Sequence, residues 1–178
     1  MPNPASSPFL LRAPGVPDAR ALAEVMEGIY AEGRWFVGDG PPEVAVLRRR
    51  IERLDPSREF ILLAVAQADA ESVILGWVEA RRLAFQRVEH VANLTLAVAA
   101  SARGQGIGRS LLRAVEPWAR RVGIEKLRLD VRGSNAPAIA LYESEGFQLE
   151  GTERAFVREP NGYDDNRIYG KFLIEPPR

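Results

Sequence analysis

Apolar residues recur along this chain at two different periods, and the switches between them outline its elements. The short run FLLRA at 9–13 predicts a strand. Pro17 then stands near the start of a segment in which Ala21, Leu22, Val25, Met26 and Ile29 share one helical face. Residues 31–42, AEGRWFVGDGPP, break the pattern with glycines and a proline pair and read as a loop. Val44, Leu47, Ile51 and Leu54 return to helical spacing, with Arg48–Arg50 mostly off that face.

The middle of the chain changes to strands. EFILLAVAQ (59–67) and VILGWVEARRL (73–83) flank ADAES and predict a hairpin or meander, with VANLTLAV (91–98) as the next strand. A helical stripe follows through Ile107, Leu111, Leu112, Val115, Trp118, Ala119 and Val122, with Pro117 inside it predicting a kink. IEKLRLDV (124–131) predicts a strand, APAIALYESE (136–145) a helix stopped at Gly146, and FQLEGTERA (147–155) and NRIYGKFLI (166–174) two last strands. Tyr163, Asp164 and Asp165 fall in the turn expected between them. The order β-α-α-β-β-β-α-β-α-β-β describes one α+β domain over 9–178 around a mixed sheet, preceded by a Pro- and Ser-rich flexible tail at 1–8.

Composition narrows the chemistry. The 178 residues suit one domain, and 24 basic residues balance 24 acidic ones, so no global field favours nucleic acid or anionic membrane. The pairs Arg81-Arg82 and Arg120-Arg121 read as solvated edges. There is no cysteine, which removes disulfides, thiolate metal sites and a thiol-borne intermediate, and the single histidine, His90, makes a histidine metal site improbable. The N-terminus lacks the basic region of a signal peptide, and the longest apolar run, FILLAVA, is far short of a membrane span. A cytoplasmic location is expected, with no metal, nucleic-acid or membrane partner.

The segment VAASARGQGIGRSLL (98–112) carries the chemistry. A strand ends, Gly104, Gly106 and Gly108 alternate, and a helix begins, an arrangement that suits a phosphate at a helix N-terminus. A nucleotide phosphate loop requires a Lys after its last glycine, which is absent here. A dinucleotide fingerprint requires a third glycine where Arg109 stands. Arg103-Gly104-Gln105-Gly106-Ile107-Gly108 matches instead the [R/Q]-x-x-G-x-[G/A] pyrophosphate motif of coenzyme A in the GNAT superfamily of N-acetyltransferases. NAPAIALYESEGF (135–147) also resembles that superfamily's N-x-x-A-x-x-x-Y-x-x-x-G-F segment, at Asn135, Ala138, Tyr142, Gly146 and Phe147. The resemblance covers about residues 9–174 and is strongest from 90 to 155. HVANLTLAV, the stretch from Asp130 to Asp165 and YGKFL look most like a bacterial branch acting on small amines, including L-amino-acid and phosphinothricin-type N-acetyltransferases.

The resemblance implies a single domain with a central, mostly antiparallel twisted sheet flanked by helices, its splayed strands forming an acetyl-CoA cleft. It implies that Leu96, Ala97 and Val98 hydrogen-bond the pantetheine arm, and that the Val98 N–H polarises the thioester carbonyl. The amides from Arg103 through Arg109 (Arg103, Gly104, Gln105, Gly106, Ile107, Gly108, Arg109) would hold the pyrophosphate, with Ser110 adding its hydroxyl. Tyr142 becomes the candidate acid for the leaving thiolate, since a phenol stays protonated at neutral pH. Asn135 has two readings, a contact to the cofactor beside Ala138 or an N-cap for its own helix. Glu79, Glu89 and His90 are the candidate bases, none decisive. Tyr30, Trp35 and Phe36 either wall an acceptor pocket or anchor their loop.

The expected activity is acetyl-CoA-dependent acetylation of a small primary amine, an amino acid or a compound like one, by direct attack in a ternary complex. An N-acetyltransferase for a protein N-terminus or lysine is the alternative, and a non-catalytic acyl-CoA sensor is the alternative of another class. A homodimer is left open.

Overall fold

The computed structural model describes residues 9–66 and 73–175. The tail expected at 1–8 and the ADAES connection lie outside the described residues. The elements are β1 (Phe9–Arg12), α1 (Ala19–Tyr30), α2 (Val44–Glu52), β2 (Glu59–Ala66), β3 (Ile74–Arg82) and β4 (Val91–Val98), then α3 (Ile107–Arg121), β5 (Lys126–Arg132), α4 (Ala136–Ser144), β6 (Gln148–Glu159) and β7 (Gly162–Phe172). Their order is the one read from the sequence. The seven strands make one sheet in the order β1-β2-β3-β4-β5-β7-β6. β4 and β5 run parallel, with α3 as the crossover between them, and the other pairs are antiparallel.

Strand alternation splits the core into two layers. Val78, Ala80, Leu94, Leu96 and Val98 pack towards the buried stripe of α3 and towards α4. Trp77 and Ala97 point the other way, into Leu22, Met26, Ile29, Leu47 and Ile51 of α1 and α2. Each helix therefore buries the stripe its spacing marked out. α3 continues as one helix through Pro117, which is exposed while its neighbours Val115, Trp118 and Ala119 are buried.

The feature that shapes the site is a wedge between β4 and β5. Their ladder covers only Val91–Asn93 against Lys126–Arg128, because β5 follows β7 along its whole length, Lys126–Arg132 against Asn166–Phe172. On the other side, the Leu83 amide bonds the Val91 carbonyl at 3.0 Å and the Ala99 amide bonds that of Leu75 at 2.8 Å. With the β3–β4 register, this parity directs the backbone groups of Thr95 and Ala97 to β3 and those of Leu96 and Val98 into the wedge. Gly76 lies opposite Val98, and a Cβ there would stand 2.6 Å from the Ala97 carbonyl oxygen, so only glycine lets β3 come this close.

The last hairpin differs from the sequence reading. β6 and β7 are longer than expected and turn at Pro160–Asn161, so Tyr163, Asp164 and Asp165 are strand residues of β7. Both strands are largely exposed in this stretch, and no apolar period marks them. No helix among the described residues is long and apolar enough to cross a membrane.

Candidate active site

The glycine turn sits at the mouth of the wedge. After Val98 a short 3-10 turn, Ala100–Ala102, leads into it, and the Gln105 side-chain amide bonds the Ser101 carbonyl at 3.3 Å. Gly104 and Gly106 adopt φ of 77° and 79°, and a Cβ on either would meet nothing within 4 Å. These glycines therefore serve backbone conformation and open approach rather than packing. The amide of Arg103 donates back to Ala100 at 3.4 Å and that of Ser110 to Gly106 at 3.1 Å, but those of Gly104 through Arg109 donate to no described residue. This corrects the expected run of free amides by one residue, since Arg103 is already engaged. Ile107 is 1% exposed and anchors the first turn of α3 in the core, so the free donors are held rigidly at the positive end of a helix. The cradle fits a pyrophosphate.

Gly108 has a different task. A Cβ there would lie 3.2 Å from Leu141 of α4, with Leu96 and Val98 of β4 next nearest. Its bare Cα is where α3, α4 and the end of β4 converge.

Arg103 does more with its side chain than with its amide. Its Nε donates to the Val98 carbonyl at 3.0 Å, and its two terminal nitrogens hold Glu32 at 2.8 and 2.5 Å. The guanidinium also lies 5.3 Å from the centre of the Trp35 ring, and Glu32 accepts from Trp35 Nε1 at 2.5 Å. One side chain thus joins the glycine turn, the wedge end of β4 and the α1–α2 loop. Hydrogen bonding to Arg103 is the main cause that holds the Glu32 carboxyl below the usual carboxylate range. Nothing in the sequence marks Glu32, because its partner is 71 positions away.

α4 supplies Tyr142. Asn135 caps the helix, its side-chain oxygen accepting from the Ala138 amide at 3.2 Å, so the N-cap reading holds for this side chain and uses the Ala138 amide as well. Tyr142 is 6% exposed and packs 5.9 Å from the ring of Phe147, centre to centre. Burial pushes its phenol up to about 12. Arg109 and Arg113 both grip Glu145, at 2.8 and 2.7 Å, fastening α4 to α3. Asp164 secures the entry to α4 from below. It accepts from Ser134 Oγ at 2.7 Å and from Nε of the buried Arg132 at 3.0 Å. Burial works against its charge, yet these bonds prevail and keep its carboxyl low. Asp165 accepts the amide of Ala155 at 2.8 Å. These acids hold backbone in place.

Two of the three candidate bases lie away from the wedge. His90 directly precedes β4, and eight residues of strand place it ~26 Å from Val98. Glu89 is exposed in the preceding turn. Glu79 lies on the α1–α2 face opposite Thr95 and is held by Arg50 at 2.6 Å. Tyr30 and Phe36 stack at 4.7 Å, and Phe36 lies 6.2 Å from Trp77, so these aromatics and Trp35 both anchor the loop and wall the α1–α2 side of the sheet. Burial, then the Glu79 charge, raises the Tyr30 phenol.

Comparison with known proteins agrees with this geometry. Residues 24–147 match the acetyltransferase (GNAT) family. The chain is 33% identical over 141 residues to the N-alpha-acetyltransferase RimI of Mycobacterium tuberculosis, covering 79% of each protein. It is 30% identical over 83 residues to the L-amino acid N-acetyltransferase AaaT of Escherichia coli, covering 44% of this chain and 49% of that one. A GNAT superfamily phosphinothricin acetyltransferase from Sinorhizobium meliloti, solved in complex with acetyl-CoA, superimposes with a TM-score of 0.83 at 21% identity, covering 94% of this chain and 90% of that one. The chain belongs to the acetyltransferase (GNAT) family and is an acetyl-CoA-dependent N-acetyltransferase.

Proposed function

We propose that the chain acetylates the primary amine of a small molecule, an amino acid or a compound like one, by direct transfer in the β4–β5 wedge. The observation that carries the transfer site is the meeting of three features: the free amides of Gly104 through Arg109, the backbone of Leu96 and Val98 turned into the wedge, and Tyr142 on the helix packed against both. Bound acetyl-CoA supplies the acetyl thioester. The glycine-turn amides hold its pyrophosphate, Leu96 and Val98 pair with its pantetheine arm, and the Val98 N–H donates to the carbonyl oxygen as charge develops there. Such a donor contributes roughly 3 kcal/mol to lowering the barrier. Ala97 has no part in this pairing, since its backbone groups belong to β3.

Tyr142 acts on the sulfur. A phenol at about 12 is far weaker as an acid than a thiol near ~8.5. Its hydroxyl therefore serves as a neutral hydrogen-bond donor to the departing thiolate, which completes its protonation in water. The attacking amine gives its proton to solvent, since His90 lies a strand's length away and Glu79, on the acceptor face, is engaged by Arg50.

The acceptor enters from the α1–α2 face. The aromatic wall and the Glu32–Arg103 clasp draw the loop down onto the sheet, which supports a small acceptor over a long peptide. The relation to RimI over 79% of both chains favours a second reading, acetylation of a protein's N-terminal amine. Thiol release from acetyl-CoA should be followed with free amino acids, phosphinothricin-like compounds, polyamines and short peptides. The small-acceptor reading expects turnover with one class of small amine and little with peptides. Turnover confined to peptides with a free N-terminus would replace it with the second reading.

A further inference from the structure

The sequence reading put Arg48–Arg50 mostly off the apolar face of α2 and took the Arg81-Arg82 pair as a solvated edge. The fold gathers them. Arg49, Arg50 and Arg53 of α2 and its end, Arg58 before β2, and Arg81 and Arg82 at the end of β3 line one groove of about 500 Å³. That size suits a small molecule. The groove lies at the opposite end of β3 from Gly76, the residue facing Val98, so it is separate from the wedge.

Of the six groove arginines, only Arg50 and Arg81 are paired with carboxylates among the described residues. The groove holds two acids, and both are engaged: Glu59 by Arg50 at 3.2 Å and Arg81 at 2.8 Å, Asp55 by the amide and hydroxyl of Ser57. Arg49, Arg53 and Arg58 form no ion pair among the described residues, and Arg50 Nη2 and Arg82 Nε are buried without a hydrogen-bond partner there. Like charges gathered around one cavity repel unless something of opposite sign joins them, and guanidinium forks match phosphate oxygens in pairs.

We infer that this groove binds a small anion carrying two or more phosphate groups. Arg49, Arg53 and Arg58 take its outer oxygens and Arg50 the oxygens nearest the sheet, while Arg82, which donates to the Val122 carbonyl at the end of α3, only lines the groove. Arg50 also holds Glu79 at 2.6 Å, on the face where the acceptor enters, so occupancy is felt beside the acceptor site through one side chain.

The test is titration calorimetry of the full chain with inorganic tripolyphosphate, with acetyl-CoA present at saturation so that the glycine turn is filled. Saturable binding is expected, and the double variant Arg49→Gln/Arg53→Gln should weaken it by about tenfold or more, since two charge-assisted bonds are lost. Both residues are exposed, so the variant should fold, and its basal acetyl transfer should be unchanged. No binding of tripolyphosphate, or binding that the double variant leaves intact, overturns the inference. A fluorescent RNA oligonucleotide supplies the other arm: RNA binding that depends on these arginines, without tripolyphosphate binding, would replace the small anion by a nucleic-acid backbone.

Discussion

Replacing Gly106 by valine separates the two costs that the glycine turn carries. Gly106 stands at φ 79°, a conformation that a side chain disfavours, yet a Cβ there would meet nothing within 4 Å. The free protein therefore suffers only the backbone penalty, about 2 kcal/mol for a left-handed L-residue. That is a minor part of the ~5–15 kcal/mol that holds a domain folded, and it should lower the melting temperature by ~4–8 °C. The bound state suffers more. The new methyls occupy the space in front of the amides of Gly104 through Arg109, and losing two charge-assisted bonds of ~1.5–3 kcal/mol each weakens acetyl-CoA about a hundredfold or more. Calorimetric titration with acetyl-CoA, beside thermal denaturation, measures both. Gly123, at φ 77° past the other end of α3, provides the matched control: Gly123→Val should show a similar melting shift with acetyl-CoA affinity intact. Equal affinity in folded Gly106→Val protein would reduce the glycine turn to a turn.

Three further outcomes follow from the site. Glu32→Gln keeps an acceptor for Trp35 but loses the ion pair to Arg103; such a part-exposed pair contributes at most ~1 kcal/mol to stability, so melting should barely move while KM for the amine rises by a few-fold. The wild-type clasp has a pH limit of known sign. Because Arg103 depresses the Glu32 carboxyl, the clasp is intact above the ordinary carboxylate range and is lost as pH falls through the lowered value; amine protonation affects both proteins equally, so the ratio of the wild-type KM for the amine to that of the Gln variant should climb only in that acid window. Asn135→Ala removes the cap on the Ala138 amide and should cost about 1 kcal/mol, read as a small drop in melting temperature; an unchanged melting curve would show that the cap carries no weight.

Most of the fold could be read from the chain because its apolar stripes are clean. Ile107, Leu111, Leu112, Val115, Trp118 and Ala119 are all buried as their spacing required, and β2 to β4 appear where the apolar runs fall. The β6–β7 hairpin extended further than expected because strands exposed on both faces carry no apolar alternation. The glycine turn, Tyr142 and the Asn135 cap were legible since each depends on neighbours within one loop or helix. Glu32, the Arg103 bond to the Val98 carbonyl and the arginine groove were not, because their partners come together only when the sheet forms. Distance along the strand also removed His90, which spacing alone could not do. Asp164 and Asp165, placed in a turn by residue type, proved to be strand residues that brace the approach to α4.

The most direct test of the transfer mechanism is steady-state thiol release by Tyr142→Phe with the best amine. Tyr142 is buried, but its hydroxyl bonds no described residue and burial is the sole cause of its raised value, so loss of the hydroxyl should leave stability unchanged. Turnover should fall at least about tenfold, equivalent to ~1.4 kcal/mol of barrier, with KM for acetyl-CoA unchanged and no new limb in the pH profile below about 11. Wild-type turnover in the phenylalanine variant would remove Tyr142 from the chemistry and contradict the assignment of the wedge as the place where it acts.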